Sequence, residues 1–193
     1  MTIDELRIQF DLQHENRINI LEDATFKCGG GYLFVDSLDG HCYLFDENGN
    51  EDDVKNIKSI ENSANCKNLK SIIIPDSVKS IGYYAFHRCE SLISIVIPDS
   101  VKSIRDYAFA FCKKLESIVI PNFVESIGNY AFYGCKSLKS IIIPDSVKSI
   151  GYGAFIWCES LKSVSFKGKT INQIKAMENY PFGIKDESII KCI

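Results

Sequence analysis

Eight cysteines, three histidines and an evenly repeated set of serines are the residues of this 193-residue chain with chemistry to offer. Cys66, Cys89, Cys112, Cys135 and Cys158 recur every 23 residues. Zinc would need close ligand pairs such as Cys-x-x-Cys, and the sequence has none. Bridging the five in sequence order would leave one over. A thiol that returns at a fixed period fits a repeated core, where Cys is a small apolar filler. Cys28, Cys42 and Cys192 stand off the period, and a Cys28–Cys42 bridge or a lone thiol stays open for them. His14, His41 and His87 are isolated, and no Ser/His/Asp order or His-Glu-x-x-His occurs. The serines recur because the segment around them recurs, so they are no nucleophile set. The residues therefore point to recognition, with no catalytic residue, metal or cofactor expected.

Two further stretches invite chemistry and fail on spacing. Gly29-Gly30-Gly31 is followed by no Lys-Ser/Thr and opens no helix, so it reads as a flexible turn rather than a phosphate loop. The acidic run from Asp46 to Asp53 lacks the alternating ligands, sixth-place Gly and twelfth-place Glu of a calcium loop. It reads as a solvated linker.

The elements that position these residues come from the repeat. Pro75, Pro98, Pro121 and Pro144 keep the same period as the cysteines, and so do Phe86, Phe109, Phe132 and Phe155. A fixed period in this range means a solenoid of stacked coils. Within one coil, Leu92, Ile95 and Ile97 follow the order L-x-x-I-x-I, and the alternation at its end is that of a short strand. Pro98 has no N–H for a ladder and ends the strand, and Asp99-Ser100 is turn chemistry. Val101, Ile104, Ala108, Phe109 and Cys112 then recur at spacings of three and four, as in a helical or 3₁₀ turn with an apolar inner edge. No single coil can bury so many apolar side chains. Stacked coils can, because each apolar position then lies over its copy, with strands about 4.8 Å apart.

The recurring L-x-S-I-x-I-P-x-S-V-x-S-I-G-x-x-A-F-x-x-C resembles the leucine-rich repeats of the BspA type, also called the Treponema pallidum type, over about residues 54–166. The resemblance implies an α/β solenoid. It would be a right-handed leucine-rich-repeat array of 23-residue coils, with parallel concave strands, short helical or 3₁₀ turns on the convex side, and a cap at each end. It also implies a role in adhesion or protein recognition and no catalytic residues.

Three parts are expected. Residues 1–53 form an acidic N-terminal cap, 54–166 the repeats and 167–193 a C-terminal cap. Thr2 to Glu5 has the capping-box form and starts a helix at 3–12 on Ile3, Leu6 and Phe10. Residues 18–21 read as a strand, and residues 32–35 and 42–45 as a hairpin across an Asp39-Gly40 turn. Val54 to Ile57 begins the repeat irregularly, with Ser63-Ala64 in place of the Ala-Phe pair. At the other end Thr170 to Gln173 is a second capping box. It opens a helical face of Ile171, Ile174 and Met177, and Ile184, Ile189 and Ile190 tuck under the final coil.

Charge is uneven. Residues 1–53 hold thirteen acidic against three basic residues, net −10, and residues 54–193 hold twelve against nineteen, net +7. An acidic cap on a lysine-dotted array accounts for this; an acidic partner, or the cap of a second copy, would also meet the basic part. No apolar run approaches the ~18 residues of a membrane helix, so no membrane insertion is expected. The start MTIDELRIQF is acidic and amphipathic, unlike a signal peptide. At face value this places the protein in the cytoplasm, or outside the cell if a leader has been removed.

A partner would meet the outward residues of the strands. Ser71, Ser94, Ser117, Ser140 and Ser163 form one column, and Ile73, Val96, Val119, Ile142 and Ser165 the next. β-Branched residues also serve strand propensity, but contiguous apolar patches tend to mark interfaces. The expected contact residues are Ser94, Val96, Ser117, Val119, Ser140 and Ile142. A second set lies after the convex turn, where Tyr84, Tyr107 and Tyr130 recur beside His87, Phe111, Tyr133 and Trp157. Phe111 and Trp157 interrupt a column of small or polar residues and read as anchors. The leading expectation is a protein–protein interaction module of the adhesion or recognition type, with a homo-oligomer as one form. The alternative is an intracellular effector or inhibitor, of mobile-element origin, that blocks a host protein. A polyanion or nucleic-acid binder is weaker, because Arg88 and Arg105 are the only guanidinium donors in the repeats.

Overall fold

A computed structural model describes residues 25–28, 31–35, 42–46, 59–61, 67, 69–74 and 76–193. The expected helix at 3–12, the strand at 18–21, most of the acidic linker, Cys66 and most of the irregular first copy from Val54 lie outside the described residues. In chain order the strands are β1 (Thr25–Cys28), β2 (Gly31–Val35), β3 (Cys42–Asp46), β4 (Ser59–Glu61), β5 (Ser71–Ile73), β6 (Ser80–Ile81), β7 (Ser94–Val96), β8 (Ser103–Ile104), β9 (Ser117–Val119), β10 (Ser126–Ile127), β11 (Ser140–Ile143), β12 (Ser149–Ile150) and β13 (Ser163–Phe166). Helix α1 (Ile171–Lys175), a 3₁₀ turn at Glu187–Ile189 and β14 (Ile190–Cys192) close the chain.

Two ladders run along the solenoid. The odd strands of the repeats form its parallel concave face, as β5–β7 and as β9–β11–β13, the latter extended by β14. Their register is that of the repeat: Ser71 faces Ser94, and Ser117 faces Ser140, which faces Ser163. The even strands form the second ladder, in which Ile60, Ile81, Ile104, Ile127 and Ile150 follow one another. This ladder continues through β4 into the antiparallel strands β1, β2 and β3. The expected hairpin is present as β2 and β3, closed by the Val35–Cys42 pair. Strand β1 is an addition to the expected elements.

The core lies between the two ladders. Strands β7 and β9 alternate exposed, buried, exposed, with Ile95 and Ile118 inside. Phe86, Phe109, Phe132 and Phe155 form one stack, with successive ring centroids 5.2, 5.4 and 5.7 Å apart and planes within 8° of parallel. Each such ring, fully buried, contributes roughly 1.5–3 kcal/mol.

On the convex side the expected helical or 3₁₀ turn is a run of tight turns with bonds back three residues, interleaved with bonds to the next coil. Ser103–Ile104 is a two-residue strand, and the residues after it form consecutive tight turns. The N–H groups of Ala108, Ala110 and Cys112 donate back three residues, to Arg105, Tyr107 and Phe109. Those of Tyr107, Phe109 and Phe111 instead donate to the next coil, at Asn129, Ala131 and Tyr133. Every second N–H thus leaves the coil, which no helix allows. Left-handed backbone at Tyr107 (φ 57°) and Phe111 (φ 61°) enforces the alternation.

At the C-terminal end the Thr170–Gln173 capping box is formed and starts α1. Ile174 is buried and Met177, just past the helix end, packs on the core, but Ile171, the first helical residue, is 41% exposed. Ile184 and Ile190 are buried under the last coil, and β14 extends the concave ladder alongside β13. Phe182, which no repeat position predicted, is fully buried, and its carbonyl accepts the Phe155 N–H at 3.0 Å. In earlier coils that role falls to an alanine carbonyl, as when Phe132 donates to Ala154.

Candidate protein-recognition surface

The period-two pleat of the odd strands decides which side chains face outward. It turns Ile95, Ile118 and Ile141 into the core and leaves their neighbours on the surface. Val96, Val119 and Ile142 are 61%, 77% and 47% exposed, an unusual display for branched aliphatic side chains. Val119 lies directly opposite Ile142 across the ladder. Ser94, Ser117 and Ser140 are exposed beside them in the same rows. Six of the expected contact residues therefore share one face. Strands β9 and β11 line a shallow depression of about 330 Å³ there, edged by Asp99, Asn122 and Lys167. Beyond the serines, Lys139 and Glu116 pair at 2.6 Å.

Phe111 and Trp157 lie elsewhere, in the turns that follow the even strands. Both have left-handed backbone, φ 61° and 62°, and share one column with Arg88 and Gly134. They are two coils apart and differ in setting. Phe111 is half-buried, with the Arg88 guanidinium 5.7 Å from its ring centroid and Tyr133 edge-on at 5.0 Å. Trp157 is 54% exposed, with Tyr133 tilted against it at 4.9 Å. Tyr84, Tyr107 and Tyr130 stack beside this column with centroids 5.0 Å apart at each step. His87 lies edge-on to Tyr84 and Phe111, and burial, with the Arg88 charge second, pulls its pKa down.

The cysteine column faces the core. Cys112, Cys135 and Cys158 each donate an S–H to a carbonyl one coil back, those of Phe86, Phe109 and Phe132, at 3.1 Å. Burial pushes the thiols of Cys112 and Cys135 well up and that of Cys158 up to about 12. These are packing groups held in the unreactive form.

Sequence reasoning missed several exposed apolar residues, Ile93 and Phe123 among them. Ile93, just before Ser94, stands where other coils carry Lys70, Glu116, Lys139 and Lys162. Phe123 replaces a serine whose hydroxyl, at Ser100 and Ser146, bonds back to the preceding coil. In both cases the signal was a residue unlike its own column.

A family model described as the BspA type leucine-rich repeat region matches residues 55–182 in six copies. No curated protein matches the chain. Among solved structures, a leucine-rich repeat protein from Bacteroides ovatus is 38% identical, over 58% of this chain and 35% of that one, with a TM-score of 0.54. The leucine-rich repeat protein of T. pallidum is 30% identical over 72% of this chain and 64% of that one, with a TM-score of 0.61. A leucine-rich cell surface protein from Faecalibacterium prausnitzii is also 30% identical, over 75% of this chain and 42% of that one, at 0.61. The chain thus spans less than two thirds of the length of each of these relatives. With the family's repeat matched across most of its length and the in-register ladders that the repeat demands, this chain belongs to the BspA-type leucine-rich repeat family.

Proposed function

We propose that this protein is a recognition module that holds a protein partner against the concave face, at Val96, Val119 and Ile142 and the serines beside them. One observation carries the reading. Three consecutive coils display a branched aliphatic side chain in the same row, at 61%, 77% and 47% exposure, where solvated sheets carry polar groups. The family supports a binding scaffold as the general role. The F. prausnitzii relative is a cell surface protein, which favours adhesion or recognition at a cell surface over inhibition inside a cell. Among the described residues no helix is long and apolar enough to cross a membrane. The division into an acidic cap, repeats and a second cap belongs to the same proposal. The caps close the core, and the repeats make the contact.

The test is comparative capture from a host extract in 0.5 M NaCl by the wild-type protein and Val119→Lys. High salt removes a polyanion held by lysines. A band held by the wild type and lost in the variant supports the reading; equal retention by both moves the site elsewhere.

A further inference from the structure

The last regular turn and the C-terminal cap line a half-open cavity of about 400 Å³. Its size lies in the range of small-molecule sites, roughly 300–1,000 Å³. Trp157, Leu161 and Ile189 supply apolar wall, and Glu159 and Lys185 stand at the rim. This site is independent of the concave stripe.

Three features single it out. Trp157, the one tryptophan of the chain, has left-handed backbone at a place where Gly134 stands one coil earlier. Arg88 and Phe111 share this backbone in their own coils, so what sets Trp157 apart is the size of its ring. Tyr133 packs against the ring at 4.9 Å and holds it as part of the cavity wall. Polar groups of both kinds complete the rim. Glu159 meets Lys136 through Oε1 at 2.9 Å, and a carboxylate keeps further acceptor sites for a hydroxyl. The Lys185 ammonium has no ion-pair partner among the described residues and offers three donors. Lys136, Glu159, Lys185 and Asp186 cancel in charge, so the site favours neither an anion nor a cation.

A flat aromatic wall attracts the C–H face of a ring, because the aromatic face is electron-rich. A donor and an acceptor beside it suit hydroxyls, which do both. From these facts we propose that the Trp157 cavity binds a single neutral sugar ring, free or at the end of a glycan.

Trp157 is its own reporter. Its fluorescence would be titrated with glucose, galactose, mannose and N-acetylglucosamine and with their methyl glycosides. Sodium phenylacetate and benzyltrimethylammonium chloride serve as charged aromatic probes. The expected result is a saturable change with at least one neutral sugar, indifferent to 0.5 M NaCl, and an affinity at least tenfold weaker in Lys185→Ala and Glu159→Gln at unchanged unfolding midpoint. Methyl glycosides that bind as well as the free sugar indicate a ring carried on a chain; binding of the free sugar alone indicates a monosaccharide. Both support the site. Silence from every sugar, a response to a charged probe only, or sugar binding untouched by both variants would each overturn it.

Discussion

The side-chain amide of Asn179 donates to the Ile150 carbonyl at 3.3 Å. In earlier coils the same carbonyl position receives a backbone N–H from the next coil, as when Gly128 donates to Ile104 and Gly151 to Ile127, each at 2.8 Å. Asn179 thus stands in for a coil that does not follow, and ends the even-strand ladder without leaving an acceptor bare. Its φ of 65° suits asparagine, which tolerates left-handed backbone. Asn179→Gly should cost about 1 kcal/mol for the lost hydrogen bond. Asn179→Ala should cost about 1 kcal/mol more, since alanine also resists the backbone. Hydrogen exchange should locate the loss at the last coil, as expected when repeats contact only their neighbours.

Phe109 lies between Phe86 and Phe132 in the ring stack. Phe109→Ala should lower stability by ~3–5 kcal/mol, the usual cost of removing a buried ring. Denaturant unfolding checks this, and a loss under about 1 kcal/mol would mean that the stack is not the core.

Gly183 has φ 84°, and a Cβ there would meet Ile156 Cγ1 at 2.4 Å and Gly153 Cα at 3.1 Å. Gly183→Ala should cost roughly 1–2 kcal/mol from backbone handedness and about 1–3 kcal/mol from overpacking. The thermal midpoint should fall accordingly.

The core thiols set an alkaline limit. Burial raises Cys112, Cys135 and Cys158 above the ordinary cysteine range, so the folded state holds their protons more tightly than the unfolded chain does. Their stabilising effect is full below the unfolded thiol pKa of about 8.5, and is lost as pH climbs toward about 12. The denaturant midpoint should fall across that window. At neutral pH a thiol reagent should label the exposed Cys192 and leave Cys112 and Cys135 untouched until unfolding, as peptide mapping would show.

The coil was legible because Phe86, Phe109, Phe132 and Phe155 announce their stack by spacing alone. The strand at Ser103–Ile104 was not, because two residues give no alternation to read. Its identity depends on hydrogen bonds to other coils. The Asn179 cap and the burial of Phe182 likewise rest on contacts outside the repeat pattern. For the candidate surface, the row of Val96, Val119 and Ile142 follows from the pleat. Phe111 and Trp157 were visible as odd members of a column, but their left-handed backbone and their separation from that row needed coordinates.

Hydroxyl-radical footprinting of the captured complex reads which side chains a partner covers. Reduced oxidation is expected at Val96, Val119 and Ile142, with Tyr84 and Trp157 as reactive as in the free protein. Protection of the tyrosine and tryptophan with the three aliphatic residues still open to solvent would contradict it.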